Sequence, residues 1–235
     1  MKIAVISDLH LGVGDRSDRF GHELNRFLRF LRFLEDNFER VVLLGDIWDP
    51  LTTSGRVSAR EGLRRCRETH ETLGHWFERK PYVYVHGNHD LAAGCLEGAP
   101  EHHWVEANGV RILFTHGHQH DVLVRWTPCL AGLGIWLGSW LLRLRLSHLY
   151  RFLDRIDCLR SGFSSNASAC SFQRWAVTAA RAQSADIVVT GHTHYPTKAQ
   201  HHDVLFLNSG SCADGRFTFL SMDTARGEYA VNTTW

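Results

Sequence analysis

Val85-His86-Gly87-Asn88-His89-Asp90 follows directly on Pro81-Tyr82-Val83-Tyr84, an aromatic and β-branched run that predicts a buried strand. Gly-Asn ends the run because both residues tolerate positive φ, so the chain turns sharply there. Four polar side chains crowd the turn, at the C-terminal end of a strand. In α/β proteins that edge is where ligands bind. An isolated turn with a surface histidine would look the same, and the rest of the chain decides between the two.

Upstream, Ile3 to Ser7 predicts a buried strand closing on Asp8-Leu9-His10-Leu11-Gly12. His22 to Phe38 carries Leu24, Phe27, Leu28, Leu31 and Leu34 at helical spacing and predicts an amphipathic helix. Arg40 to Leu44 is a second strand, closing on Gly45-Asp46-Ile47-Trp48-Asp49, and Ser58 to Phe77 reads as one further helix. Strand, helix, strand, helix, strand predicts a parallel sheet with right-handed crossovers.

Downstream, Trp104 to Ile112 reads as a hairpin turning on Asn108-Gly109. Its second strand, Arg111 to Thr115, closes on His116-Gly117-His118-Gln119-His120-Asp121. Trp126 to Arg181 reads as largely helical, with a break expected between Arg160 and Ser171. Asp186 to Thr190 is a strand closing on Gly191-His192-Thr193-His194. Val204 to Asn208, Arg216 to Met222 and Glu228 to Val231 read as an antiparallel meander.

The chain has 235 residues, 44% of them hydrophobic, enough for one domain, 1–235, with one sizeable core. The net charge of +1 gives no field for nucleic acid, which is not expected as a partner. Of 26 basic residues only Lys2, Lys80 and Lys198 are lysines. Cys66, Cys95, Cys129, Cys158, Cys170 and Cys212 are scattered without a C-x-x-C pair, and Lys2 enters a strand at once without a signal peptide. A reducing, cytoplasmic setting is the expectation.

Five strand ends thus carry metal-competent residues: Asp8 and His10; Asp46 and Asp49; Asn88 and His89; His116 and His118; His192 and His194. Carboxylate, amide oxygen and imidazole without thiolate suit divalent manganese, iron or zinc. Most other histidines (His22, His70, His75, His120, His148, His201 and His202) read as solvated. His102 and His103 read as a surface pair and His86 as a packed strand residue.

The set D-x-H, G-D-x-x-D, G-N-H-D, H-G-H and G-H-T-H resembles the calcineurin-like metallophosphoesterases, in order, over residues 8 to 194. The resemblance implies an α/β fold, a two-sheet α/β/β/α sandwich, here with a helical insertion at about 121–183. It implies two divalent metal ions, most simply manganese. Asp8, His10 and His194 would hold the first, Asn88, His116 and His192 the second, and Asp46 would bridge them. Asp46 would also serve catalysis through that bridge. His89 would serve the leaving group of a phosphodiester or pyrophosphate. Asp49 and Asp90 would orient histidines, and His118 would line or touch the centre.

The insertion is informative about substrate. Leu130 to Leu142 is uncharged, too short to span a bilayer, and followed by Arg143, Arg145, Arg151 and Arg155, with Trp126, Trp136, Trp140 and Tyr150 interspersed. This predicts a membrane-surface contact through 126–155, on the inner membrane surface, or a pocket for acyl chains. Together with Ser7-Asp8-Leu9-His10-Leu11, the insertion is similar to the UDP-2,3-diacylglucosamine pyrophosphatases of lipid A synthesis, peripheral membrane enzymes. That subfamily commonly has Arg where this chain has His89 and H-G-D where it has His116-Gly117-His118. The resemblance implies a phosphoester substrate, small or lipid-linked. Two rival expectations are a soluble phosphodiesterase, phosphatase or nuclease with the insertion as core, and a non-catalytic binding scaffold.

Overall fold

The computed structural model describes residues 1–53, 57–121, 124, 126–160 and 170–235. Three parallel strands, β1 (Lys2–Ile6), β2 (Arg40–Leu44) and β3 (Tyr82–Val85), form one side of the first sheet. They are linked by α1 (Leu24–Asn37) and by the pair α2 (Ala59–Thr69) and α3 (Glu71–Phe77). A short α4 (Leu91–Glu97) follows β3. The second sheet begins with the hairpin of β4 (His102–Ala107) and β5 (Val110–Thr115). Its turn residues Asn108 and Gly109 have φ of 53° and 75°, as a two-residue turn with matching twist requires.

The insertion contributes α5 (Pro128–Arg143) and α6 (Ser147–Arg160). Then come α7 (Ser171–Ala182), β6 (Ile187–Thr190), β7 (Thr197–His201), β8 (Val204–Asn208), β9 (Phe219–Asp223) and β10 (Glu228–Asn232). Two mixed sheets of five strands result, ordered β10-β9-β1-β2-β3 and β4-β5-β6-β8-β7.

Strand alternation explains the layers. Ile3 and Val5 point between the sheets with Val42, Leu44, Ile112, Phe114, Val189 and Leu207. Ala4 and Ile6 point outward, against Phe27, Phe30, Leu31 and Leu34 of α1. On the far side, Leu113, Val188 and Phe206 meet Phe172, Ala176 and Ala180 of α7. Because both faces of each central strand are covered, the strands are apolar throughout rather than alternating. Each large side chain buried this way, Phe114 for example, contributes about 1.5–3 kcal/mol.

Three features differ from the sequence expectation. The single helix over Ser58 to Phe77 is two helices, because His70 leaves the helical region (φ −114°, ψ 40°) and its Nε2 lies 2.8 Å from Asp18 Oδ2. The three C-terminal runs are not one meander. β8 runs parallel to β6 in the second sheet, paired also with β7, whereas β9 and β10 close the edge of the first. β7, Thr197–His201, was not expected, because its polar and apolar residues alternate weakly. The break expected between Arg160 and Ser171 falls at 161–169, outside the described residues, as do 122, 123 and 125 at the start of the insertion.

The insertion stands beside the sandwich rather than inside it. Leu133, Leu137, Phe152 and Leu153 are all roughly half exposed. Arg143 and Arg19 tie it to the body. Arg143 of α5 donates from Nε to Asp15 Oδ2 (2.9 Å) and from Nη2 to the Thr52 carbonyl. Arg19 donates from Nη1 to the Tyr150 hydroxyl of α6 (3.0 Å). No helix among the described residues is long and apolar enough to cross a membrane.

Candidate metal centre

The strand ends converge because their turns hydrogen-bond to one another beyond the sheet. Asp8 N–H donates to Gly45 O (3.0 Å), His10 N–H to Asp46 O (3.0 Å), and Asp49 N–H to Leu11 O (2.9 Å). Within the second sheet Gly191 N–H donates to His116 O (3.1 Å), and across the sandwich His192 N–H donates to Asp8 Oδ2 (3.3 Å). Asp8, His10, Asp46, His192 and His194 all have φ between 50° and 66°. Left-handed backbone is unfavourable for such residues, and it clusters where a site is over-determined by its surroundings.

Three groups of side chains result, each with its ligand atoms within 4.8 Å of one another: Asp8, His10 and His194; Asp46, His116 and His192; and His10, Asp49 and His89. Asp8 Oδ1 is 3.2 Å from His194 Nε2 and 4.0 Å from His116 Nε2. Asp46 Oδ2 is 3.2 Å from His116 Nε2, so His116 lies between the two carboxylates. Asn88 is buried in the same turn as His89, whose N–H donates to Asp46 Oδ1 (2.9 Å). Two glycines make the close approach possible. A Cβ on Gly45, at φ 79°, would come 2.3 Å from His116 Nδ1, and one on Gly87 would come 2.2 Å from Asp46 Oδ1.

Surrounding groups aim these side chains. His116 Nδ1–H donates to Leu44 O (2.9 Å), which turns Nε2 toward the carboxylates. Asp49 joins two rings, with Oδ1 2.9 Å from His89 Nδ1 and Oδ2 3.5 Å from His10 Nδ1. Asp90 acts differently from the expected histidine support. Its carboxylate accepts from the N–H of Ile47 (2.8 Å) and from the Tyr84 hydroxyl (2.6 Å), so it braces the backbone of the Asp46 turn. His118 is buried with its ring centroid 5.7 Å from that of His116, in none of the three groups.

Electrostatics point to a cation. Burial opposes ionisation of Asp8 and Asp46, yet neighbouring histidines hold both carboxyls below the usual range, Asp46 well below. Burial likewise works against the proton on His116, but Asp46 and Asp8 raise its pKa to about 10. Burial and the charge of His116 push His192 down to about 4. Burial foremost takes His118 down to about 2. Asp8 Oδ1, Asn88 Oδ1 and His116 Nε2 are buried without a hydrogen-bond partner. Such atoms cost about 1–3 kcal/mol each unless something pairs with them. Three orphaned ligand atoms in one carboxylate-rich pocket fit divalent cations.

Several supports were not expected from sequence. Ser7 Oγ donates to Asp8 Oδ2 and meets Ser209 Oγ at 2.7 Å. Asn208 Nδ2 donates to Gly191 O (2.7 Å), fixing the turn that carries His192. Asn208-Ser209-Gly210-Ser211 ends a strand in polar residues just as the five motifs do, and that signal was legible. Some histidines expected in solvent are packed: His22 lies against Phe27 and Phe217, with its Nε2–H donating to Cys212 O (2.7 Å).

A two-sheet α/β fold with buried Asp/His clusters at its strand ends defines a metallophosphoesterase-like protein. Residues 1–129 match the model of the calcineurin-like phosphoesterase superfamily domain, and the chain belongs to that family. No curated protein matches the chain in sequence. Among solved structures, it is similar to an archaeal phosphodiesterase at 18% identity and TM-score 0.50, covering 99% of both chains. It is also similar to Vps29 from Chaetomium thermophilum at 16% identity and TM-score 0.51, covering 99% of this chain and 93% of that one. A hypothetical protein from Pyrococcus horikoshii matches at 10% identity and TM-score 0.54, covering 99% and 87%. At these identities the likeness concerns the fold.

Proposed function

We propose that this protein is a dinuclear-metal phosphodiesterase. Asp8, His10 and His194 would hold one ion, Asn88, His116 and His192 the other, with Asp46 between them; manganese suits this donor set, as do iron and zinc. A bound ion pair would lower the pKa of water toward neutrality and clamp the phosphoryl oxygens during in-line displacement. His89 would place its proton at the leaving oxygen. Burial works against that proton, but Asp49 and Asp46 raise the His89 pKa to about 9, which keeps the ring charged near neutrality.

The carrying observation is the pair of groups Asp8–His10–His194 and Asp46–His116–His192, each with two buried members and a half-buried histidine, meeting at His116 between two carboxylates. The test is hydrolysis of bis(4-nitrophenyl) phosphate by manganese-loaded protein, with metal content measured in parallel. Activity that disappears in Asp46→Asn supports the proposal. A wild type holding two ions with no hydrolysis, or a variant as active as wild type, would remove it.

A second reading is favoured by the apolar faces of the insertion, where Trp126, Leu144 and Phe152 are each at least 60% exposed. Contiguous exposed apolar surface marks a contact with another phase or molecule. On this reading the substrate is amphiphilic, such as UDP-2,3-diacylglucosamine, and the insertion rests on a membrane surface. UMP release from that lipid together with co-sedimentation with anionic liposomes would favour it. Hydrolysis confined to water-soluble diesters would leave the first reading alone.

A further inference from the structure

We propose that Ser7 is a positioning residue that holds Asp8 as a one-oxygen ligand and thereby sets which divalent ion its position prefers. The proposal rests on the reading of Asp8, His10 and His194 as a metal position and adds the residue that selects among ions there.

The two oxygens of the Asp8 carboxylate have opposite surroundings. Oδ1 is buried, has no hydrogen-bond partner, and belongs with His10 and His194 to one group of ligand atoms. Oδ2 is enclosed. It accepts from the Ser7 hydroxyl and from the N–H of His192 (3.3 Å). Gly191 packs against the same pair, since a Cβ there would come 2.7 Å from both Asp8 Oδ2 and Ser7 Oγ. The Asp8 carbonyl accepts from Ser211 Oγ (3.1 Å), so the main chain is fixed as well.

Ser7 is in turn held from the opposite sheet. Ser7 and Ser209 are both buried, with their Oγ atoms 2.7 Å apart, and Ser7 Oγ lies 3.0 Å from Gly210 O. A carboxylate is the strongest acceptor of these three, so the single Ser7 hydroxyl proton goes to Asp8. The Ser209 hydroxyl proton then goes to Ser7 Oγ. Its other neighbour, the Thr190 carbonyl at 3.1 Å, already accepts the Ser209 N–H (2.9 Å). A directed chain from Ser209 through Ser7 to Asp8 Oδ2 thus joins the ends of β8 and β1.

Satisfying two buried serines would not require this carboxylate, because Gly210 O stands within reach of the Ser7 hydroxyl. What the arrangement does is cap one Asp8 oxygen and leave the other bare. A carboxylate bound through one oxygen supplies one ligand, whereas one bound through both suits ions of higher coordination number. Zinc keeps to four ligands in a tetrahedron, and manganese suits an octahedron. With Oδ2 capped, Asp8 offers Oδ1 alone. Without the Ser7 hydroxyl it is free to turn and chelate, which helps manganese and not zinc.

Titration of metal-free protein with zinc and with manganese, each in competition with a chromophoric chelator, tests this. Wild type is expected to take two ions of either metal and to prefer zinc. In Ser7→Ala one of the two zinc affinities is expected to fall by about ten- to a hundredfold. The matching manganese affinity should fall less, so that the preference for zinc narrows by about tenfold at that position and stays as it was at the other. A preference that does not change, with affinities either retained or lowered equally for both metals, leaves Ser7 a structural role and overturns the proposal. Should Ser7→Ala not fold, Ser209→Ala, which removes the donor to Ser7, is expected to narrow the preference in the same direction, and an unchanged preference there overturns the proposal. A wild type that binds neither metal overturns the metal reading as well. Because binding is read directly, these outcomes are separate from whether bis(4-nitrophenyl) phosphate is hydrolysed.

Discussion

His89 Nδ1 lies 2.9 Å from Asp49 Oδ1, and the other oxygen of the same carboxylate faces His10 Nδ1 at 3.5 Å. One buried carboxylate thus orients both a proposed metal ligand and the proposed leaving-group partner. Asp49 stays ionised: burial opposes its charge, but His89 and His10 hold its pKa below the usual range. Asp49→Asn keeps the size and removes the charge. Turnover is expected to fall by about ten- to a hundredfold, as for other groups that orient metal-site histidines. Steady-state kinetics with metal content measured on the same samples checks this.

Gly87→Ala is expected to damage the centre without touching a ligand. The new Cβ would lie 2.2 Å from Asp46 Oδ1 and 2.8 Å from His116 Cδ2, so both side chains must move. Metal affinity is expected to drop by about ten- to a hundredfold. Metal per chain after dialysis against graded chelator reads the loss directly.

Metal removal is expected to lower thermal stability. An ion that binds only the folded chain stabilises it by about 2.7 kcal/mol at a hundred times its Kd. For a chain of this length that corresponds to a Tm difference of about 5–10 °C. Melting curves with manganese and with chelator should differ by that amount, and Asp46→Ala should shrink the difference.

Asp18 gives a pH dependence away from the metal centre. Its carboxylate accepts from the N–H groups of Gly14 (2.9 Å) and Phe20 (3.0 Å) and meets His70 Nε2 at 2.8 Å. Burial raises its pKa, but these partners, His70 foremost, leave it below the ordinary value. A folded pKa below the unfolded value of about 3.9 means that the stabilisation is present above that pH. It is lost as pH falls through the folded value. The stability gap between wild type and Asp18→Asn, read from urea midpoints, should be steady from neutrality to about pH 5 and narrow below about pH 4.

The five strand-end motifs were legible because short apolar runs that end in Asp, Asn or His need no partner to be noticed. Parallel strands bring their C-terminal ends to one edge, which gathers Asp8, Asp46 and Asn88 on the first sheet and His116 and His192 on the second; the packing of the two sheets then joins the edges. Asp90 was misjudged for the same reason: being adjacent to His89 in sequence says nothing of where a carboxylate turns, and it turned to backbone N–H groups.

By itself the sequence determined the layered α/β fold and which Asp, Asn and His residues close its strands, since both are encoded in local periodicity and turn chemistry. Only the tertiary structure decided the rest. Sheet partners of β8, β9 and β10 depend on which edge is open once β1 to β6 are in place, and three similar apolar runs cannot express that. Exposure of α5 and α6 depends on what packs beside them. The meeting of Arg19, Tyr150 and Asp214 joins residues up to 195 positions apart, through contacts that no local pattern records.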